Sequence, residues 1–324
     1  MTKKTKTIGL VLTAGGARGA YQVGVLKRIA ELPGMDRSPF KIIAGASAGA
    51  INGTAVAAGS SDFRGAVRVL VELWKNLKME EVFRTDVRSL GSRAGSLIKD
   101  LSFGGLIGGG KAQSLLDATP LHAFLKSSLP FEQIGPAITR GHLDAVAVTA
   151  TSYYSGKSYT FIQGRTGHPT WEKTRRISVS TPLAVEHICA SSAIPVVFQP
   201  VRVATPQGDF YFGDGALRLI TPLSPAIRLG ADQVFAIGVR SQRAAEIRAK
   251  SELIDDSLQR VIMKQPPLAQ VFGVILNAIF LDHLDADIEH LKRINDIVKD
   301  IDPRTQNQDG SSGREHMRPV GIAS

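Results

Sequence analysis

The chain reads as an α/β protein, a three-layer sandwich with helices on both faces of a mostly parallel central sheet. Strand, glycine turn and helix follow one another twice between residues 6 and 58, the pattern of such a sheet. Apolar strands return at 145–151, 159–162, 201–204 and 233–239. At 324 residues, 43% hydrophobic and 21% charged, the chain has the size and balance of a globular protein with a sizeable core.

Lys6–Leu12 is the first expected strand, followed by a turn of small residues and a helix over Gly19–Ile29 that ends before Pro33-Gly34. A second strand, Phe40–Ala44, runs into Gly45-Ala46-Ser47-Ala48-Gly49, and a helix of small residues continues to Ala58, stopped by Gly59. Residues 84–111 change texture to glycine, serine and basic side chains. They are expected to leave the core, either as a mobile cover or as a plain surface loop. Helices are expected within 243–300, closing a single domain over 1–301, and the polar residues 302–324 are expected to be disordered.

A lone cysteine, Cys189, excludes an internal disulfide and suits a reducing compartment. It lies in the apolar run 184–190 and reads as a small buried hydrophobe rather than a nucleophile. The apolar stretch after the basic N-terminus is too short for a signal peptide. The longest nearly apolar segment, 268–281, falls short of the roughly 20 residues that span a bilayer. A cytoplasmic address follows as the expectation. The net charge of +10 favours anionic partners. No zinc-finger spacing, aromatic RNA-binding motif or long basic helix supports nucleic acid, which leaves two readings open, peripheral contact with an anionic membrane and a basic protein with no polyanionic partner. The basic residues Arg88, Arg93 and Lys99 and the apolar stretch 271–281 are the candidates for that contact.

Three short segments carry chemistry. Gly45-Ala46-Ser47-Ala48-Gly49 is a G-x-S-x-G pattern between an apolar strand and a helix of small residues. In such an elbow the serine occupies a strained turn at a helix N-terminus, and small neighbours let strand and helix approach closely. Thr13-Ala14-Gly15-Gly16-Ala17-Arg18-Gly19 can turn successive backbone N–H groups towards one point, for a phosphate or a transient oxyanion. A dinucleotide site is the weaker reading of that turn. The glycines do not make G-x-G-x-x-G, and Asp36 is not at a strand end. In Phe210-Tyr211-Phe212-Gly213-Asp214-Gly215-Ala216 an aromatic strand ends in an aspartate flanked by glycines, which taken alone is an ordinary turn.

Together, in this order, the three segments resemble the patatin-like phospholipases, over roughly residues 7–239. Residues 114–117 and 190–195, with 198–201 just beyond, resemble further segments of that family. The resemblance implies a lipid acyl hydrolase that cleaves carboxylic esters through an acyl-enzyme. Ser47 would be nucleophile and Asp214 general base, in a dyad that uses no cofactor or metal. It implies Gly45 and Gly49 as the flanks of the elbow, and an oxyanion loop of Gly15, Gly16, Ala17, Arg18 and Gly19. Arg18 would act either in catalysis or in ordering the loop. Ala14 departs from the family's first loop glycine, and it fits only if its φ is negative. Two rival readings remain. One is a Ser-Asp-His triad, for which His283 and His290 follow Asp214 in the chain, on a charged helical pattern that suits solvated histidines better. The other is a catalytically silent membrane-associating module of the same fold. Substrate head group, chain length and oligomeric state stay open.

Overall fold

Runs of consecutive apolar residues form the centre of the sheet: Ile8–Leu12 (β1), Ile42–Ala46 (β2) and Ala145–Ser152 (β3) are buried along almost their whole length. That is the burial expected of parallel strands covered on both faces. The computed structural model describes residues 6–84, 116–239, 283–300 and 320–323. Its sheet adds Ser158–Gly164 (β4), Glu172–Lys173 (β5), Arg176–Ser180 (β6), Val201–Thr205 (β7), Gly208–Gly213 (β8), Gln233–Ile237 (β9) and Gly321–Ala323 (β10). The order is β10-β9-β1-β2-β3-β4-β6-β5, with β8 pairing β3 and β7 pairing β8. The five strands from β10 to β3 are mutually parallel, whereas β4 and β8 both run antiparallel to β3.

Strand alternation sorts side chains onto the two faces. Leu10, Leu12 and Ile43 join one core with Val23, Leu26, Val56, Phe63 and Phe161. Val11, Ile42 and Ala44 join the other with Leu223, Ala226 and Leu291. The first face is covered by Gly19–Ala30 (α1), Ala48–Ala58 (α2) and Phe63–Asn76 (α3), and the second by the helices Ser224–Arg228 and His283–Asp300. This is the expected three-layer arrangement. Helix α2 buries nine of its residues because it lies between the sheet and its neighbours. Helix α3 buries Phe63, Val67 and Leu70, one stripe at helical spacing, and begins where the Asp62 carboxylate accepts from the Gly65 N–H at 3.0 Å.

The expected strands are found with shifted ends: the second starts at Ile42 rather than Phe40, and the last ends at Ile237 rather than Val239. Helix α3, the helices Thr119–Ser128 and Val185–Ser192, and strand β6 were not anticipated. Residues 320–323, inside the tail expected to be disordered, contribute β10, because Gly-Ile-Ala can extend along the parallel edge of β9. The Asn295 side chain grips both backbone groups of Val320, at 2.7 and 2.9 Å. All of the expected cover at 84–111 except Arg84 lies outside the described residues, as do the apolar stretch 271–281 and Arg88, Arg93 and Lys99. Among the described residues no helix is long and apolar enough to cross a membrane.

Candidate active site

Two strands approach each other along one edge of β3. Strand β2 pairs with Ala145 to Thr149 and stops at Ala46, opposite Thr149. Because β4 occupies the other edge, β8 shares the edge of β2, entering from the opposite end with Gly213 opposite Thr151. The chain that leaves β2 carries Ser47, and the chain that leaves β8 carries Asp214. Both residues therefore emerge over the short gap between Thr149 and Thr151, although 167 positions separate them in sequence (214 − 47).

Close backbone packing makes this convergence possible. A side chain at Gly45 would fall on the carbonyl of Gly49, one at Gly49 on the carbonyl of Leu12, and one at Gly215 on the carbonyl of Thr149. Glycine at these three places is a matter of space. Ser47 has φ 54 and ψ −128, a conformation that costs an L-residue on the order of 1–3 kcal/mol and persists only where its surroundings enforce it. Ser191 supplies part of that enforcement: its hydroxyl accepts from the Ser47 N–H at 2.9 Å and donates to the Thr149 carbonyl at 2.6 Å. On the opposing strand, the Asp214 N–H donates to the Ala193 carbonyl at 2.8 Å, and the Thr151 hydroxyl donates to the Asp214 carbonyl at 2.9 Å. Ser191 and Ala193 thus hold both Ser47 and Asp214, a role their sequence context did not disclose.

Ser47 is 4% exposed and Asp214 fully buried. Desolvation pushes the Asp214 carboxyl up to about 7, against smaller downward pulls from the Ala216 N–H and the Ser47 hydroxyl. Asp214 Oδ1 accepts from Ala216 N at 2.9 Å, while Oδ2 has no hydrogen-bond partner among the described residues. The Ser47 hydroxyl is therefore close enough to favour the carboxylate without forming a regular hydrogen bond to it. Tyr153 also belongs here: its hydroxyl lies against Gly213, and burial, followed by the charge of Asp214, pushes its pKa upward.

The loop after β1 runs alongside. Gly16 has φ +53, which favours glycine, and Ala14 is not among the residues with positive φ, so alanine is accommodated there. A short turn over Gly16–Arg18 follows. Its Arg18 N–H donates to Gly15 O at 3.0 Å, and the Gly19 N–H is taken by the carbonyls of Gly16 and Ala17. Arg18 and Gly19 are thereby removed as oxyanion donors, because their hydrogens close the turn. The N–H groups of Gly15, Gly16, Ala17 and Ala48 make no hydrogen bond among the described residues. The Arg18 side chain is exposed and bonds to no part of the loop among those residues. Gly19 contributes by contact instead: a Cβ there would sit 2.8 Å from that of Ala48, so the loop and the elbow pack directly together.

The remaining candidates lie elsewhere. Cys189 is buried and desolvation pushes its thiol up to about 12, which makes it inert. His290 is exposed on the helix His283–Asp300, one turn from Asp287, whose carboxylate accepts from Leu223 N. Asp36 pairs with Arg64 at the surface. A cleft between α1 and α3 is lined by Lys27, Arg64, Arg68 and Lys75 together with Glu31 and Glu72, at the end of α1 away from the loop, and includes neither Ser47 nor Asp214.

The model of the patatin-like phospholipase family matches residues 10–227. Among solved structures, VipD from Legionella pneumophila is 15% identical, covering 78% of this chain and 54% of that one, with a TM-score of 0.37. Human GIVD cytosolic phospholipase A2, in complex with methyl γ-linolenyl fluorophosphonate, is 16% identical, covering 82% and 45%, with a TM-score of 0.40. ExoU from Pseudomonas aeruginosa, in complex with SpcU, is 14% identical, covering 51% and 36%, with a TM-score of 0.30. These superpositions are loose, and the chain spans about half or less of those proteins' lengths. No curated protein is significantly similar to it.

Proposed function

The chain belongs to the patatin-like phospholipase family, and from that premise we propose that it is a lipid acyl hydrolase working through Ser47 and Asp214. The observation that carries this reading is the arrival of both residues, from opposite directions, over one stretch of β3. Asp214 takes the Ser47 proton as the hydroxyl attacks an ester carbonyl. Asp214 passes that proton to the departing alcohol and an acyl-enzyme remains; the same carboxylate then takes a proton from the attacking water and returns it to Ser47 as the acid leaves. A carboxyl raised to about 7 is a better match for this task than an ordinary aspartate. The unbonded N–H groups of Gly15, Gly16, Ala17 and Ala48 supply the donors for the oxyanion. Contact with an anionic lipid surface belongs to the same reading and is supported by the net charge of +10.

The test is hydrolysis of p-nitrophenyl esters of increasing chain length and of phospholipid vesicles, together with labelling by a fluorophosphonate. Ser47→Ala and Asp214→Asn are expected to lose on the order of 10⁴ in kcat while keeping the parent's circular dichroism spectrum. His290→Ala and His283→Ala are expected to stay within about 3-fold, since a dyad needs no histidine. Undiminished labelling of Ser47→Ala refutes the reading, and a 10³-fold loss in either folded histidine variant favours the triad. Because the base acts deprotonated, kcat/KM should rise with pH through about 7, following the raised pKa of Asp214.

A further inference from the structure

Under the glycine loop, three side chains from three helices make one continuous chain of hydrogen bonds. The indole Nε1–H of Trp74 on α3 donates to Asn52 Oδ1 at 2.8 Å. Asn52 Nδ2 on α2 donates to Gln22 Oε1 at 2.9 Å and to the Gly19 carbonyl at 3.0 Å. Gln22 Nε2 on α1 donates to the Thr13 carbonyl at 2.8 Å and to the Ile237 carbonyl at 3.2 Å. Gln22 and Asn52 are fully buried.

The chain has a fixed polarity. An indole nitrogen only donates and a backbone carbonyl only accepts, so neither amide can flip without setting like groups against each other. All four amide hydrogens and both amide oxygens are used, which makes the network stiff as well as satisfied. Its endpoints are specific. Thr13 and Gly19 are the two ends of the glycine loop, and Ile237 ends β9, two residues before Val239, against which Gly15 packs. Asn52 lies on the helix that Ser47 opens. The network therefore ties both ends of the loop to the helix of the elbow. Core packing alone would be met by apolar side chains in these places.

We propose that Gln22 and Asn52 are positioning residues that hold the N–H groups of Gly15, Gly16 and Ala17 in place over Ser47. They would act on transition-state stabilisation rather than on substrate binding. This rests on the reading of Ser47 and the loop given above. Gln22→Met keeps the side chain's length and apolar stem while removing all three of its hydrogen bonds. It is expected to lower kcat for p-nitrophenyl butyrate 10- to 100-fold with KM changed less than 3-fold. The second-order rate of fluorophosphonate labelling should fall in parallel, because the phosphonyl oxygen uses the same donors. Trp74→Phe removes the outermost donor together with the indole ring atoms that lie against Gly19, and is expected to lower both rates 2- to 5-fold. Measurements at a temperature where circular dichroism shows each variant folded separate positioning from unfolding.

Gln22→Met with both rates within 2-fold of the parent, or with KM alone changed, overturns the inference. Should Gln22→Met not fold, Trp74→Phe decides, and unchanged rates in that variant overturn it. Labelling that persists in Ser47→Ala instead overturns the functional reading itself, so the two failures are distinguishable.

Discussion

Ser47 has a strained backbone conformation and Asp214 a desolvated carboxylate with one oxygen unpaired among the described residues, whereas Gln22 and Asn52 just beneath have every amide atom bonded. Both pairs are buried and polar. The difference is that the atoms proposed to react carry strain and desolvation, while the two amides beneath them are saturated. A strained serine and a charged buried aspartate survive only in surroundings that cannot relax, and a closed polar network set among glycine-mediated backbone contacts is such a surrounding.

The contrast can be broken hardest at its packing. Gly49→Ala sets a methyl group on the Leu12 carbonyl, a backbone atom that cannot rotate away. The expected loss is about 3 kcal/mol in the urea unfolding free energy. An unchanged midpoint would mean that α2 does not press on β1 this closely.

A second test concerns the cost of Asp214. Its unfolded carboxyl releases a proton near 3.8 and the folded one near 7, so between these values the folded state binds more protons and rising pH drains stability. Asp214→Asn removes that drain. The variant should gain a few kcal/mol over the parent at pH 8, at about 1.36 kcal/mol per pKa unit, and nothing below the unfolded value. Thermal melts at pH 3.5 and pH 8 measure this, and an equal difference at both pH values would show that the carboxylate is not the source.

The smallest effect is at the elbow. Ser47→Gly relieves a positive φ that Ser47→Ala retains, so the glycine variant should be more stable than the alanine variant by about 1 kcal/mol, both being inactive. Equal melting temperatures would locate the cost elsewhere.

Much of this architecture was legible along the chain because it is written in local patterns. Strand β1, its turn and α1 follow from an apolar run, small residues and helical spacing between Lys6 and Ile29, and the elbow is confined to Gly45–Gly49. Asp214 was legible by a different route, through the order of three motifs rather than its own surroundings. Gln22, Asn52 and Trp74 were not legible, since each looks like an unremarkable helix residue until three helices are packed. Ser191 likewise lies 144 positions from the backbone N–H it accepts. The donors of Arg18 and Gly19 seemed available in sequence, and only the turn that consumes their hydrogens removes them.

The sequence by itself therefore determined the α/β class and the elbow around Ser47, because backbone periodicity and steric demands act over a few residues, while Asp214 became a candidate through the resemblance that the order of the three motifs carries. Tertiary structure alone decided that β8 enters antiparallel on the edge of β2, and so brings Asp214 back to Ser47. It also decided that desolvation raises the carboxyl to about 7, and which loop hydrogens stay unbonded among the described residues. Strand order, burial and hydrogen-bond pairing are properties of groups far apart in the chain, and no local spacing encodes them.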